Sequence, residues 1–101
     1  MHLIQILLPL TDDAGEQFPA EAFERLAREL TEKFGGVTSF TRTPAEGRWK
    51  AGEATEHDDI AVVEVMAETV DRDWWAALRR RLEREFDQEE IVIRCHQTER
   101  L

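Results

Sequence analysis

Only one cysteine, Cys95, occurs in the 101 residues, so no intramolecular disulfide can form and the fold must rest on its core. Sitting in a strand-like run, that cysteine reads as a small buried hydrophobe without a redox role. Long apolar runs are missing too. Nothing approaches the ~18 consecutive apolar residues of a membrane span. The aliphatic start at residues 3–8 has no basic segment before it and meets Pro9, Asp12 and Asp13 at once, which excludes a secretory signal. These absences describe a cytoplasmic protein with no membrane partner. Positive charge is also scarce. Lys plus Arg number 13 against 22 Asp plus Glu, a formal charge of −9 that repels a phosphate backbone at long range and argues against nucleic acid. No Gly-rich phosphate loop, G-x-S-x-G elbow or C-x-x-C pair occurs, so nucleotide binding, serine hydrolysis and zinc-ribbon chemistry have no support and no cofactor is implied.

The few glycines and prolines divide the chain. Residues 2–8 form a short aliphatic run stopped by Pro9, which suits a central strand because both its faces carry apolar residues. Gly15 marks a loop, and Pro19 opens a helix running to about Phe34. On that helix Phe23, Leu26, Ala27, Leu30 and Phe34 make one stripe, with outer pairs Glu21/Arg25, Glu24/Arg28 and Glu29/Lys33, and Gly35-Gly36 supplies the left-handed stop. Residues 37–42 alternate and are β-branched, giving a more polar edge strand. Residues 43–58, with Pro44, Gly47 and Gly52, read as a long hairpin connection. Residues 60–67 are the strongest strand, apolar on both faces except at Glu64. Asp71 is placed to cap a second helix whose stripe is Trp74, Trp75, Leu78, Leu82 and Phe86, and residues 91–96 close the chain as a fourth strand. Trp75 is expected in the core and Trp74 at its margin.

The order β-α-β-β-α-β, in a chain long enough for one core, predicts one α+β domain over residues 1–101. Right-handed crossovers and a central hairpin make it a ferredoxin-like sandwich: an antiparallel sheet of order 4-1-3-2 with both helices on one face. The two strands judged central by composition are the two that this topology places in the middle. By parity Ile4, Ile6, Leu8, Ala61, Val63, Val65, Ala67, Ile91, Ile93 and Cys95 face the helices. The other face carries Leu3, Gln5, Leu7, Ile60, Val62, Glu64, Met66, Val92, Arg94 and His96. That face is too apolar to be left in water, and the simplest cover is a second copy, so a homodimer through the open sheet face is expected.

This element order and half-apolar open face resemble the dimeric α/β-barrel group of ferredoxin-like proteins, which includes muconolactone isomerases and small cofactor-free monooxygenases. The likeness spans nearly the whole chain at the level of architecture, and no catalytic residue is carried over from it. The segment Lys33-Phe34-Gly35-Gly36-Val37-Thr38 is also similar to one in small uncharacterised bacterial proteins.

Chemistry-bearing candidates follow from the same parity. Glu64, Arg94, His96 and Gln5 share the open face on adjacent strands. Read as catalysts, Glu64 is a general acid or base, Arg94 an anchor for a carboxylate or enolate, and His96 a second proton-transfer group. Read structurally, Glu64 and Arg94 form an ion pair that fixes dimer register. A second group, Arg42, Arg48, Trp49, Lys50 and His57, either lids a small anionic ligand or belongs to an exposed connector. His57-Asp58-Asp59 with Glu53 and Glu56 lacks a recognised ligand spacing, and Cys95 and His96 point to opposite faces, so no metal is expected. His2 is expected near His96 where the first and last strands pair. The cluster Arg79-Arg80-Arg81 with Arg84 lies among acids and reads as a solvated helix face paired at Arg79/Glu83 and Arg81/Glu85. Three functions stand open: a homodimer with a small-molecule cleft, a cofactor-independent isomerase or monooxygenase, and a protein-interaction module.

Overall fold

A computed structural model describes residues 1–42 and 59–101, the side chain of Arg42 apart. Among them the chain forms β1 (His2–Pro9), α1 (Ala20–Phe34), β2 (Thr38–Arg42), β3 (Ile60–Ala67), α2 (Arg72–Glu85) and β4 (Val92–Gln97). The strands make one antiparallel sheet of order β2-β3-β1-β4, the α+β ferredoxin-like sandwich. The two most apolar strands are central because only there are both edges paired with a neighbouring strand.

Each helix has an identifiable start and stop. Pro19, at φ −62° and ψ 140°, stands one position before α1, and Gly35 ends it at φ +88° with its N–H on Thr31 O at 2.8 Å. Asp71 caps α2 by accepting from Trp74 N at 3.2 Å. The far end of α2 contains a signal that composition hides. Asp87 takes the left-handed conformation at φ +51°, Gln88 N donates to Glu83 O at 2.8 Å and Asp87 N to Arg84 O at 3.3 Å. That bond pair is the Schellman ending usually built on glycine, here supplied by one of the few other residues that visit this region at modest cost.

The core lies between the helices and one sheet face. Ile4, Ile6 and Leu8 from β1, Ala61, Val63 and Val65 from β3, Leu26 and Leu30 from α1, and Trp75, Leu78 and Leu82 from α2 are buried together. Phe86 seals its end: it is fully buried, with Phe18 edge-on at 5.0 Å and Phe23 at 5.3 Å. At the other end Phe34 stacks on Trp75 at 5.4 Å, Trp74 stands edge-on to both within 5.6 Å, and Lys33 Nζ lies 4.8 Å from the Trp74 ring. Trp75 is core and Trp74 sits at the margin, half buried. No helix among the described residues is long and apolar enough to cross a membrane.

Three expectations are corrected. Cys95 faces the helix side as parity requires, yet it is exposed. β4 is an edge strand along which cover declines, from buried Ile91 through half-buried Ile93 to open Cys95. Arg81 does not pair with Glu85; it reaches across to Glu29 at 2.7 and 2.9 Å, while Glu85 takes Arg25 at 3.0 Å. Helix-to-helix pairs replace the intrahelical ones because α1 and α2 lie side by side. Of the α2 pairs, Arg79–Glu83 alone is kept, at 3.8 Å. His2 and His96 are parted as well: His2 is opposite Gln97 and His96 opposite Leu3, and adjacent rungs point to opposite faces.

Phe86 closes the core without a polar partner, so Phe86→Ala is expected to lower unfolding free energy by about 3–5 kcal/mol in urea titration, the range for emptying an aromatic core site.

Candidate functional site

The face turned away from the helices is organised in rungs by the strand register. Thr38 lies opposite Glu64, Glu64 opposite Gln5, and Gln5 opposite Arg94, so one polar rung crosses all four strands. On one side of it runs an apolar rung, Phe40, Val62, Leu7 and Val92. On the other side lie Met66, Leu3 and His96. Antiparallel pairing with a two-residue side-chain period is sufficient to produce this banding.

Within the polar rung, Gln5 Nε2 donates to Glu64 Oε2 at 2.6 Å, and Arg94 Nε donates to Gln5 Oε1 at 2.9 Å. The expected ion pair between Glu64 and Arg94 is therefore not direct. Both residues are opposite Gln5 on β1, which sets their backbones two strand spacings, about 10 Å, apart. An amide is matched to the gap between them, because its NH2 donates to the acid on one side while its carbonyl oxygen accepts from the base on the other. The two charges in turn fix which way the amide points. Gln5 and Glu64 are half buried, and Arg94 is exposed. His96 is exposed one rung away, opposite Leu3, and takes no part in this chain of hydrogen bonds.

Arg42 belongs to β2 by its backbone, opposite Ile60 and two rungs from Glu64. Arg48, Trp49, Lys50 and His57 lie outside the described residues, as do Glu53, Glu56 and Asp58 of the metal candidate. Among the described residues no three His, Cys, Asp or Glu side chains cluster as metal ligands.

A groove of ≈ 570 Å³ opens at the Glu64 end of the rung, lined among others by Leu3, Val37, Thr38, Glu64, Met66 and Arg100. It exists because β2 begins at Thr38, opposite Glu64, so Val65, Met66 and Ala67 run past the end of β2 with no paired strand on that side among the described residues. The Gly35-Gly36 turn contributes no side chain to fill the notch. Sequence reading missed Thr38 and Arg100 as lining residues. A short β2 directly after two glycines was the available signal for Thr38; nothing in the sequence placed the C-terminal Arg100. A smaller groove of ≈ 190 Å³ lies on the helix side, where Arg72, Ala76 and Arg79 of α2 stand beside Cys95.

No protein-family model matches the sequence, and no curated protein does either. A solved structure of a phage SAM lyase in complex with S-methyl-5'-thioadenosine shares the fold, with a TM-score of 0.60 at 12% sequence identity over 95% of this chain and 80% of that one. At that identity the likeness is one of fold.

Two outcomes follow from this geometry. Cys95 is expected to react with a thiol reagent in native buffer at one equivalent per chain, whereas a buried thiol would need denaturant. Gln5→Leu strips both charged neighbours of their shared partner and is expected to cost about 1–2 kcal/mol in urea titration, the range for leaving half-buried polar groups unpaired.

Proposed function

We propose that the protein is a homodimer closed over the sheet face that α1 and α2 leave uncovered, with a cleft for a small organic ligand at the Glu64 end of the polar rung. One observation carries this reading. Among the described residues the large exposed hydrophobics, apart from C-terminal Leu101, are Phe40, Met66 and Val92, each 44–45% exposed, and all three stand on the face that no helix covers. Scattered apolar residues are ordinary on a surface, and a set confined to one sheet face supports the reading of an interface there. The architectural resemblance to dimeric α/β-barrel proteins agrees with it. An exposed free thiol and the acidic composition suit the reducing cytoplasm.

The groove beside Glu64 has the size of a small-molecule site and a mixed lining, with Leu3, Val37 and Met66 for an apolar body and Glu64 and Arg100 for polar groups. An anionic organic molecule is the class we favour, because Arg100 at the groove and Arg94 along the rung supply cations in an otherwise acidic chain. A nucleoside thioether is the second class, supported by the groove's size and by the S-methyl-5'-thioadenosine held by the fold neighbour. Catalysis by Glu64, Arg94 and His96 together is the weaker alternative, since Gln5 spaces the first two and His96 stands on another rung.

Native mass spectrometry followed by release under denaturing conditions tests the assembly and any passenger together. The expected result is twice the chain mass with an organic molecule of a few hundred daltons; a monomer at micromolar concentration sinks the dimer reading. S-methyl-5'-thioadenosine, S-adenosylmethionine and a panel of aromatic carboxylates then serve as thermal-shift probes. A true ligand at 100 times its Kd adds about 2.7 kcal/mol, an upward shift in Tm of roughly 10 °C or more for a chain of this length.

A further inference from the structure

We infer that Glu64 is completed by Arg94 of the partner subunit, so that each ligand cleft is built from both chains around a two-fold axis running along β1. This rests on the homodimer reading above and says how its two copies meet.

The polar rung carries opposite charges at equal distances on either side of Gln5, Glu64 one strand away on β3 and Arg94 one strand away on β4. A symmetric dimer brings the same surface to both sides, so if residue i meets residue j, then j meets i. Two sheets packed face to face have two simple choices of in-plane axis through Gln5. An axis across the strands lays Glu64 over the partner's Glu64 and Arg94 over the partner's Arg94, two like-charge contacts in a partly dry interface. An axis along β1 exchanges the two sides of the rung. Glu64 then faces the partner's Arg94 and Arg94 faces the partner's Glu64, two opposite-charge contacts from a single symmetry operation.

Dimensions permit the second arrangement. Packed sheets lie about 10 Å apart, a gap that a glutamate and an arginine reaching from opposite sides can span. Aligned sheets rotate by about 30° against each other, but the charged ends of the rung lie only about 5 Å from the axis, so the rotation displaces the partners by no more than about 2.5 Å.

The apolar rungs fit the same axis. Leu7 meets the partner's Leu7 and Met66 meets the partner's His96, while Val62, 1% exposed within its own chain, adds no contact. Among the described residues β2, with Phe40, is left without a counterpart opposite it, because it is the second strand out from β1 on one side and the other side has only β4. That overhang lies beside the groove lined by Thr38, Glu64 and Met66. The cleft therefore stays open at its β2 side while its inner wall receives the partner's Arg94. The ion pair that parity suggests within one chain, and that Gln5 holds apart there, forms between chains.

Charge reversal decides the matter, read by sedimentation equilibrium with circular dichroism confirming that each variant is folded. Wild type is expected to be a dimer. Glu64→Arg and Arg94→Glu, each placing two like-charge contacts in the interface, are expected to raise the dimer dissociation constant at least about 100-fold. An equimolar mixture of these two variants is expected to restore dimers as a heterodimer, and the double variant Glu64→Arg/Arg94→Glu to restore a homodimer. Wild-type dimers together with single variants that dimerise as tightly as wild type would overturn the axis and leave the dimer reading standing. Single variants that are monomeric yet stay apart when mixed would overturn the trans pairing as well. A monomeric wild type would overturn this inference together with the reading it rests on.

Discussion

Side chains on β1 alternate between two environments that cannot be exchanged. Ile4, Ile6 and Leu8 are at most 1% exposed in the centre of the core, while Leu3, Gln5 and Leu7 lie on the face without helices. A slip of one residue against β3 or β4 would drive Gln5 into the core and turn three aliphatic side chains outward, so the register is strongly specified. The polar rung depends on the same register. Glu64 and Arg94 meet the two ends of one amide only because both are opposite Gln5.

The helices need much less specificity. Their buried stripes press on the sheet, and their outer faces exchange Arg25–Glu85 and Arg81–Glu29 pairs whose side chains are partly solvated. Exposed pairs of this kind are worth about 0–1 kcal/mol each and orient the helices more than they hold them. Cohesion comes instead from aromatic closure at the two ends of the helix layer, Phe18, Phe23 and Phe86 at one and Phe34, Trp74 and Trp75 at the other.

The candidate site lies where this economy stops. Two helices cover one sheet face, and the other is left with a polar rung between apolar ones, beside a notch where β2 begins late. In the proposed dimer a second copy would cover Leu7, Met66 and Val92, raise the effective strength of every charge on the polar rung by removing water, and leave the notch as an entrance. Assembly and ligand binding would then share the residues Glu64, Gln5 and Arg94.

Periodicity, parity and the few glycines and prolines by themselves determined the element order, the central places of β1 and β3, the helix-facing core and the set Gln5, Glu64, Arg94 and His96 on the opposite face. These are local or two-periodic properties, written in neighbouring residues. Tertiary structure alone decided what depends on residues far apart in the chain. It placed Gln5 between Glu64 and Arg94, which requires the pairing of three strands 59 and 89 residues distant from one another along the sequence. It set His2 and His96 on opposite faces, gave Arg81 to Glu29, and exposed Cys95 because cover fails along an edge strand. It also opened the groove beside Glu64, since a strand's length and what lies past its end are settled by its neighbours and not by its own residues.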